Sequence, residues 1–222
     1  MRQPIIAIDG PSGAGKGTVA RAVADARGYQ YVDTGAMYRA VGWKAVQTGV
    51  ALDDEESLRR LAETSAIDAS AARVAIDGVD VTREIRTPAM DRAAASVARL
   101  PGVRAVLVAR QRQMALAGGV VMEGRDIGTV VFPDADVKIY LDASPEERAR
   151  RRAHDAAHSG GPAAVSDVVS LITERDRIDR TRAASPLVAA PDAVRIDTTG
   201  KSVAEVVAHV SAVIDRRLGT GS

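Results

Sequence analysis

Residues 5–28 leave few folds open to this chain, because an apolar run, a glycine-rich loop and a helical pattern follow one another there. The run Ile5–Ile8 is short and rich in β-branched residues, which is typical of a strand buried on both faces. From Thr18 to Arg27 the apolar residues recur at helical spacing, and Gly28 is the residue type that favours a left-handed helix C-terminus. A strand, a loop and a helix in this order predict the first unit of a parallel α/β sheet.

The loop between this strand and this helix has the composition of a phosphate-binding loop. It consists of Gly10, Pro11, Ser12, Gly13, Ala14, Gly15, Lys16, Gly17 and Thr18. Glycines let backbone N–H groups turn toward phosphate oxygens, and the helix N-terminus adds partial positive charge. Lys16 is placed to reach the terminal phosphates of a nucleotide. We therefore expect all nine residues to bind nucleotide phosphates, and Lys16 to act in catalysis as well.

The loop departs from the usual G-x-x-x-x-G-K-[ST] pattern at one position. Gly17 stands where a hydroxyl residue is expected, and Thr18 follows one residue later. Neighbouring helical residues point about 100° apart, so Thr18 is expected to contact phosphate rather than Mg²⁺. The G-K-G-T form resembles that of nucleoside monophosphate kinases such as adenylate kinase.

Further strands and helices alternate along the chain and predict a P-loop-type parallel sheet flanked by helices. Predicted strands cover 29–33, 120–123, 137–141 and 193–197; predicted helices cover 38–48, 55–63, 87–98, 101–117, 166–182 and 202–218, with another beginning at Ser144. Residues 67–81 break this pattern. Arg73–Ile76 and Val79–Val81 flank Asp77-Gly78, a pair favoured in two-residue hairpin turns, and predict a small β insertion.

Composition excludes several classes of function. The 222 residues carry 30 basic and 29 acidic side chains, so bulk charge does not favour binding to nucleic acid. Aromatic residues make up 3% of the chain, too few for a base-stacking platform. The absence of cysteine excludes a disulfide framework, a thiolate zinc site and a cysteine nucleophile. With no apolar run of about 18 residues, we expect a cytoplasmic protein that binds neither membrane nor nucleic acid.

Three further motifs follow predicted elements and carry a specific resemblance. They are residues 33–39 (DTGAMYR), residues 123–134 (EGRDIGTVVFPD) and residues 174–186 (ERDRIDRTRAASP). Together with the phosphate loop, and in this order from Ile5 to about Pro186, they resemble the bacterial-type cytidylate kinases. The resemblance implies transfer of a phosphoryl group from ATP to CMP or dCMP, giving ADP and CDP or dCDP, with Mg²⁺.

The same resemblance implies how the chain is divided. A core is expected at about 1–35, 100–145 and 186–222, and a lobe that binds the nucleoside monophosphate at about 36–99. A mobile lid is expected at about 146–185. A layout with one small core favours a monomer.

Arginine dominates the basic residues, with 26 arginines against four lysines. Phosphoryl transfer needs several cations that converge on the moving group, and the planar arginine fork suits phosphate. By the resemblance, CMP is bound by Thr34, Arg39, Arg104, Arg125, Asp126, Arg175, Asp179 and Arg182. Arg175, Asp179 and Arg182 are spaced i, i+4 and i+7 and so share one helix face. Each of these arginines, taken alone, is also compatible with a solvated ion pair.

Individual roles within this set also come from the resemblance. Asp126 and Arg104 are expected to contact the cytosine, with Asp126 accepting from its amino group. Asp179 is expected to contact sugar hydroxyls. Arg125 and Asp33 are expected to act in catalysis with Lys16. For Asp33 two readings remain open: it positions Mg²⁺ or the attacking phosphate, or it is an N-cap or turn residue.

The predicted lid contains a cluster of arginines after Ser144, and the cluster is followed by the break Ser159-Gly-Gly-Pro162. We expect Arg148 and Arg152 to bind the phosphates of ATP, and closure of the lid to exclude water. His154 and His158 are i, i+4 apart, but no third ligand accompanies them. No metal site made of protein ligands is therefore expected.

One position departs from the family pattern, and three other functions compete. Ala95 stands where some members carry a cytosine-contacting serine, with Ser96 beside it, so selectivity against UMP is open. A small P-loop kinase of the shikimate kinase type is the nearest alternative. A GTPase would use an N-K-x-D motif, and this chain contains no asparagine. A phosphate-loop protein that only binds nucleic acid is opposed by the net charge of +1.

Overall fold

Five parallel strands form the sheet on which the predicted phosphate loop is built. In the computed structural model, which describes residues 3–69, 73–154 and 165–220, they are β1 (Ile5–Asp9), β2 (Gln30–Asp33), β6 (Val120–Gly124), β7 (Val137–Asp142) and β8 (Val194–Asp197). Their order across the sheet is β2-β6-β1-β7-β8, and each neighbouring pair is parallel. All five therefore end at the same edge of the sheet.

Within the described residues, eight helices pack on the two faces of this sheet or on one another. They are α1 (Lys16–Arg27), α2 (Thr34–Thr48), α3 (Glu55–Thr64), α4 (Pro88–Val97), α5 (Pro101–Met114), α6 (Pro145–Ala153), α7 (Val165–Thr181) and α8 (Val203–Leu218). Apolar side chains of α1 and α8 pack on one face of the sheet, and a second cluster packs on the other face beside α5. The predicted α/β fold with a P-loop-type parallel sheet is confirmed.

The predicted β insertion is a three-stranded antiparallel sheet of β3 (Ile67–Ala69), β4 (Val74–Ile76) and β5 (Val79–Asp80). Ile76 pairs with Val79 around the turn, where Asp77 and Gly78 both have positive φ. This is the conformation that two-residue hairpins require. The predicted hairpin is therefore present, and β3 is a third strand that was not assigned from the sequence.

Two helix boundaries differ from the prediction. Helix α2 begins at Thr34 rather than Tyr38, because Asp33 Oδ1 accepts a hydrogen bond from Ala36 N at 3.0 Å and caps the first turn. Helix α5 ends at Met114 rather than near residue 117, because Gly118 and Gly119 follow with positive φ. A π-helical turn at Ile127–Val131 was not predicted. The break Ser159-Gly-Gly-Pro162 and His158 lie outside the described residues.

In the part of the chain that the structure describes, no helix is both long enough and apolar enough to cross a membrane.

The phosphate loop leaves β1 at Gly10, which packs directly against the backbone of β7. Substitution of Gly10 tests this packing. A Cβ on Gly10 would lie 2.0 Å from the backbone oxygen of Leu141, and φ is +149°. We expect Gly10→Ala to lower the free energy of unfolding by clearly more than Gly28→Ala, measured by urea denaturation. Gly28 also has positive φ (+64°) but no atom within 4 Å, so its substitution carries only the backbone cost of about 1–2 kcal/mol. Equal losses in the two variants would contradict this packing.

Candidate active site

A cavity of about 930 Å³ opens at the carboxyl edge of the main sheet, beside the phosphate loop. The site residues predicted from the sequence that line it are Ser12, Gly13, Ala14, Gly15, Lys16, Gly17, Thr18, Asp33, Thr34, Arg39, Arg104, Arg125, Asp126, Arg152, Arg175, Asp179 and Arg182. Gly10, Pro11 and Arg148 are not among its lining residues. Residues far apart in the sequence are thus brought to one cavity by the ends of parallel strands.

The phosphate loop holds Lys16 in a buried position. The side chain is 5% exposed, and its Nζ donates a hydrogen bond to the backbone oxygen of Pro11 at 2.8 Å. Gly15, with φ of +90°, forms the N-cap of α1. Gly13 packs against Arg148, because a Cβ at Gly13 would lie 2.9 Å from the Cβ and the backbone oxygen of that residue. Glycine at these positions allows the loop to curve around its own lysine.

The glycine in the hydroxyl position of the loop is explained by Glu123. A Cβ on Gly17 would lie 2.8 Å from Glu123 Oε1 and 3.3 Å from the hydroxyl oxygen of Tyr31. Tyr31 donates a hydrogen bond to the same Oε1 at 2.7 Å, so the carboxylate is held in this place. Burial, followed by the negative charge of Asp33, raises the pKa of Glu123. Gly17 thus leaves room for a buried carboxylate next to the loop.

Asp33 has two partners at the end of β2. Besides capping α2, it accepts a hydrogen bond through Oδ2 from Arg39 Nη2 at 2.8 Å. Burial acts to raise the pKa of Asp33, but Arg39 and the Ala36 N–H outweigh it and keep the pKa below its usual value. Asp33 therefore carries a negative charge that orients Arg39. Thr34 Oγ1 donates to the backbone oxygen of Glu123 at 2.7 Å, which joins α2 to β6.

Arg104 and Asp126, which both line the cavity, form a buried ion pair. Arg104 Nη2 donates to Asp126 Oδ2, and its Nε donates to Ser185 Oγ at 3.2 Å. Its guanidinium carbon lies 5.6 Å from the centre of the Tyr38 ring. Arg182 Nη2 lies 3.7 Å from Asp126 Oδ1. Two arginines thus lie beside one carboxylate.

Arg125 pairs with Asp179 across the cavity. Arg125 Nε donates to Asp179 Oδ2 at 3.0 Å, and Arg182 Nη1 lies 3.8 Å from Asp179 Oδ1. Burial raises the pKa of Asp179, but the charges of Arg125, Arg175 and Arg182 outweigh this and lower it overall. Asp179 is therefore ionised at neutral pH.

Three arginines that line the cavity each have one nitrogen with no hydrogen-bond partner among the described residues. Arg39 Nε, Arg175 Nε and Arg182 Nη2 are buried and have no hydrogen-bond partner among the described residues. A buried donor without a partner is costly, so such groups normally face a ligand or water. Their occurrence on three residues of one cavity indicates a site for anions.

Comparison with known proteins identifies the family. The sequence profile described as "Cytidylate kinase" matches residues 6–216. A cytidylate kinase of Pelotomaculum thermopropionicum is 55% identical over 94% of this chain and 95% of its own length, and one of Desulfitobacterium hafniense is 48% identical over 97% and 94%.

The chain belongs to the cytidylate kinase family. The resemblance inferred from the motifs is thereby confirmed. A gluconokinase structure from Sinorhizobium meliloti aligns over 97% of this chain and 94% of its own, with a TM-score of 0.52 and 17% identity, and supports the P-loop kinase fold alone.

Arg148, expected to bind ATP, is not among the residues that line the cavity. It is 3% exposed, and its guanidinium donates to the backbone oxygens of Ser12 at 3.1 Å and Ala143 at 3.0 Å. It also pairs with Asp176 at 2.6 Å. Arg148 therefore supports the loop from outside the cavity. Arg152, the other predicted lid arginine, lines the cavity and pairs with Asp91.

Arg151 lines the cavity in the place expected for Arg148. Its Nη1 donates to Thr198 Oγ1 at 2.9 Å and its Nη2 to the backbone oxygen of Thr198 at 2.6 Å. Nη1 would lie 3.6 Å from a Cβ on Gly15, so the guanidinium lies beside the loop. The arginine cluster was visible in the sequence, but the residue that faces the loop depends on the contact with Thr198.

Asp9 was not assigned a role from the sequence. Its two carboxylate oxygens accept hydrogen bonds from the backbone N–H groups of Ile127 and Gly128, each at 2.8 Å. Burial raises the pKa of Asp9 to about 6 despite these bonds. Asp9 thus fixes the start of the π-helical turn next to Asp126. Within the described ranges, no group of three or more His, Cys, Asp or Glu residues has the arrangement of a metal site.

Burial, followed by the charge of Arg125, lowers the pKa of Lys16 to about 7, although the charges of Glu123 and Asp9 oppose this fall. The unfolded chain keeps the usual lysine pKa of 10.5, so between about pH 7 and 10.5 it binds the extra proton. This group therefore makes the free energy of unfolding rise with pH in that range. Below about pH 7, Lys16 is protonated in both the folded and the unfolded chain, so its contribution to the free energy of unfolding no longer changes with pH.

The titration of Lys16 can be measured directly, because the chain has only four lysines. With ¹³C-labelled lysine, we expect the Lys16 Cε resonance to titrate with a midpoint of about pH 7, and the midpoint to rise when ATP is added because phosphate charge favours the ammonium form. Lys16→Met identifies the resonance by its loss. A midpoint above pH 10 without nucleotide would contradict the buried, desolvated position.

Proposed function

We propose that this protein transfers the γ-phosphoryl group of ATP to CMP or dCMP, giving ADP and CDP or dCDP. The observation that carries the proposal is the single cavity in which the phosphate loop and a set of arginine–carboxylate pairs meet. The loop suits the phosphates of the donor, and the arginine pairs suit the phosphate and the base of the acceptor. Membership of the cytidylate kinase family supports the choice of acceptor.

The donor lies along the phosphate loop. Backbone N–H groups of residues 13–18 surround its β- and γ-phosphates, and Lys16 lies against them. Arg151, held by Thr198, covers the phosphates from the α6 side. Lys201 and Val203 line the same part of the cavity beyond Thr198 and leave room for the donor nucleoside.

Cytosine is recognised by the pair of Asp126 and Arg104. Asp126 accepts from the cytosine amino group, and Arg104 donates to the acceptor atoms of the ring. Uracil presents an oxygen where cytosine presents the amino group, so its oxygen would oppose the Asp126 carboxylate. Ala94, Ala95 and Ala98 line this part of the cavity without hydroxyl groups, so discrimination against UMP falls to Asp126 and Arg104.

Transfer requires alignment and charge, and no side chain has to remove a proton. At neutral pH the phosphate of CMP is largely a dianion, so its oxygen is already nucleophilic. It forms a bond to the γ-phosphorus while the bond to the β–γ bridging oxygen breaks and ADP leaves with that electron pair. Lys16 and Arg125 stabilise the charge of the moving group. Arg39, Arg175 and Arg182 hold the acceptor phosphate in line, and Asp33 acts by holding Arg39.

Mg²⁺ is proposed to accompany ATP, and the acidic side chains of the cavity fit it. Asp33 and Glu123 both line the cavity. Burial and, next in size, the negative charge of Asp33 raise the pKa of Glu123, so a cation beside the two carboxylates would relieve their repulsion. Mg²⁺ in such sites takes most of its ligands from phosphate oxygens and water, with one or two carboxylates. When bound, Mg²⁺ neutralises charge on the β- and γ-phosphates. Gly17 offers no hydroxyl ligand here.

We also propose the division into a core, an acceptor lobe at about 36–99 and a lid at about 146–185. In this division the small sheet and α2–α4 belong to the lobe, and α6 and α7 belong to the lid. The protein is proposed to act as a monomer on free nucleotides. A cytoplasmic location and the absence of membrane and nucleic-acid partners stay predictions of the sequence.

A substrate panel tests the reaction. ADP release from ATP and Mg²⁺ is measured in a coupled assay with CMP, dCMP, UMP, AMP, GMP and shikimate. We expect CMP and dCMP to give the highest kcat/KM, because the other acceptors do not match the Asp126–Arg104 pair. Lys16→Ala is expected to reduce kcat by at least about 10²-fold, since it removes a charge from the moving group. Faster turnover with UMP, AMP or shikimate than with CMP would reject the assignment.

The role of Arg151 has its own test. We expect Arg151→Met to raise KM for ATP by about tenfold, the loss of about one charge-assisted contact, with less than about a twofold change in KM for CMP. Arg177→Met is the matched control, because Arg177 is 64% exposed and pairs with Glu174 on the surface of α7. If Arg151→Met keeps the wild-type KM for ATP, or Arg177→Met raises it equally, Arg151 does not contact the donor.

A further inference from the structure

Asp91 joins helix α4 to two other helices near the cavity. Its Oδ1 lies 2.9 Å from Nη1 of Arg175 on α7, and its Oδ2 accepts a hydrogen bond from Nη2 of Arg152 on α6. The Asp91 side chain is 14% exposed, so both contacts are largely shielded from solvent. One carboxylate therefore holds two arginines that come from different helices.

Asp91 contacts Arg152 and Arg175 from the side opposite the main cavity. Arg152 and Arg175 line the main cavity and also a second cavity of about 410 Å³ between α4 and the α6–α7 pair. Asp91 lines the second cavity and is not among the described residues that line the first. The two arginines thus form a wall between the cavities. Asp91 holds them from behind and does not occupy the space of a bound phosphate.

The charge of Asp91 also offsets repulsion among three arginines. Burial lowers the pKa of Arg152, the charge of Asp91 opposes this effect, and the charge of Arg175 adds to it. Burial acts to lower the pKa of Arg39. The negative charges of Asp33 and, next in size, Asp91 outweigh burial and raise this pKa overall. Without a carboxylate at this place, Arg39, Arg152 and Arg175 would repel one another and separate.

We propose that Asp91 is a positioning residue that joins the acceptor lobe to the lid and holds Arg152 and Arg175 toward the nucleotide phosphates in the cavity. The proposal rests on the proposed function, and it adds to that function a residue outside the phosphate loop and the base site. Arg175 lines the main cavity, so its guanidinium is beside a bound phosphate while Asp91 holds Nη1 from the other side. One side chain on α4 therefore holds an arginine of α6 and an arginine of α7.

Asp91→Asn tests the proposal, because asparagine has the same size and lacks the charge. We expect kcat with CMP to fall by about tenfold, while KM for ATP and for CMP changes by less than about threefold. The reason is that the arginines would still contact the nucleotides but would no longer be held in the orientation that transfer needs. In the nucleotide-free protein, we expect amide hydrogen exchange in α6 and α7 to become about tenfold faster and exchange in β1 to stay unchanged.

Glu174→Gln is the matched control. Glu174 also lines the second cavity from α7, but among the described residues its ion pair is with the exposed Arg177 in its own helix, so wild-type kinetics and exchange are expected. Urea denaturation of Asp91→Asn confirms that the variant is folded. A wild-type kcat, wild-type exchange rates in α6 and α7, or an equal effect of Glu174→Gln would each overturn the proposal.

The two readouts keep this proposal separate from the proposed function. If the wild-type protein fails to phosphorylate CMP, the proposed function is wrong. The exchange measurement needs no nucleotide and still decides whether Asp91 holds α6 and α7 to α4: unchanged exchange in Asp91→Asn rejects the role of Asp91 by itself.

Discussion

Buried and partly buried carboxylates hold the arginines of the main cavity, and the rest of the site depends on these contacts. Arg39 is held by Asp33, Arg104 by Asp126, Arg125 by Asp179, and Arg152 and Arg175 by Asp91. Two like charges 4 Å apart repel by about 4 kcal/mol at the effective dielectric near a protein surface. Five arginines therefore converge here only because carboxylates from other elements lie between them.

This arrangement prepares the cavity for phosphate without requiring the ion pairs to break. A guanidinium has five N–H donors in a planar fork, and one carboxylate uses one or two of them. In Arg39 and Arg175 the nitrogen without a protein partner is Nε, while another nitrogen of the same group is paired. A phosphate can bind the free edge of each fork while the carboxylate keeps the other. Binding energy is then available for alignment rather than for rearranging the site.

Local patterns predicted the fold and the phosphate loop, and the resemblance to cytidylate kinases implied most of the other residues that line the cavity. The strand–loop–helix unit at 5–28 depends on neighbouring residues, and so does the hairpin around Asp77, where the turn residues select the backbone conformation. Residues directly after strand ends, such as Asp33 and Arg125, could be placed because parallel strands end at one edge. The start of α2 was placed too late because the sequence did not decide whether Asp33 is an N-cap or a catalytic residue.

Contacts between distant segments could not be predicted from local patterns. Arg148 and Arg151 are three residues apart on α6, and helical spacing alone does not show which one faces the loop. The difference arises from Asp176 and Ser12, which hold Arg148, and from Thr198, which holds Arg151. The role of Asp91 was missed for the same reason, because its partners lie more than 60 residues away. Packing between elements decides these assignments.

Gly17 and Lys16 show how the loop accommodates both its own charge and that of its ligand. Gly17 leaves room for Glu123, which Tyr31 holds by a hydrogen bond, and the charges of Glu123 and Asp9 partly oppose the fall in the pKa of Lys16 that burial causes. A loop with no nucleotide therefore avoids burying a full, uncompensated cation, which would be costly. In the proposed reaction, donor phosphates supply the missing negative charge and favour the ammonium form of Lys16, which is the form that would stabilise the moving phosphoryl group. The same burial that weakens the charge of the free lysine strengthens its interaction with phosphate, because both take place away from water.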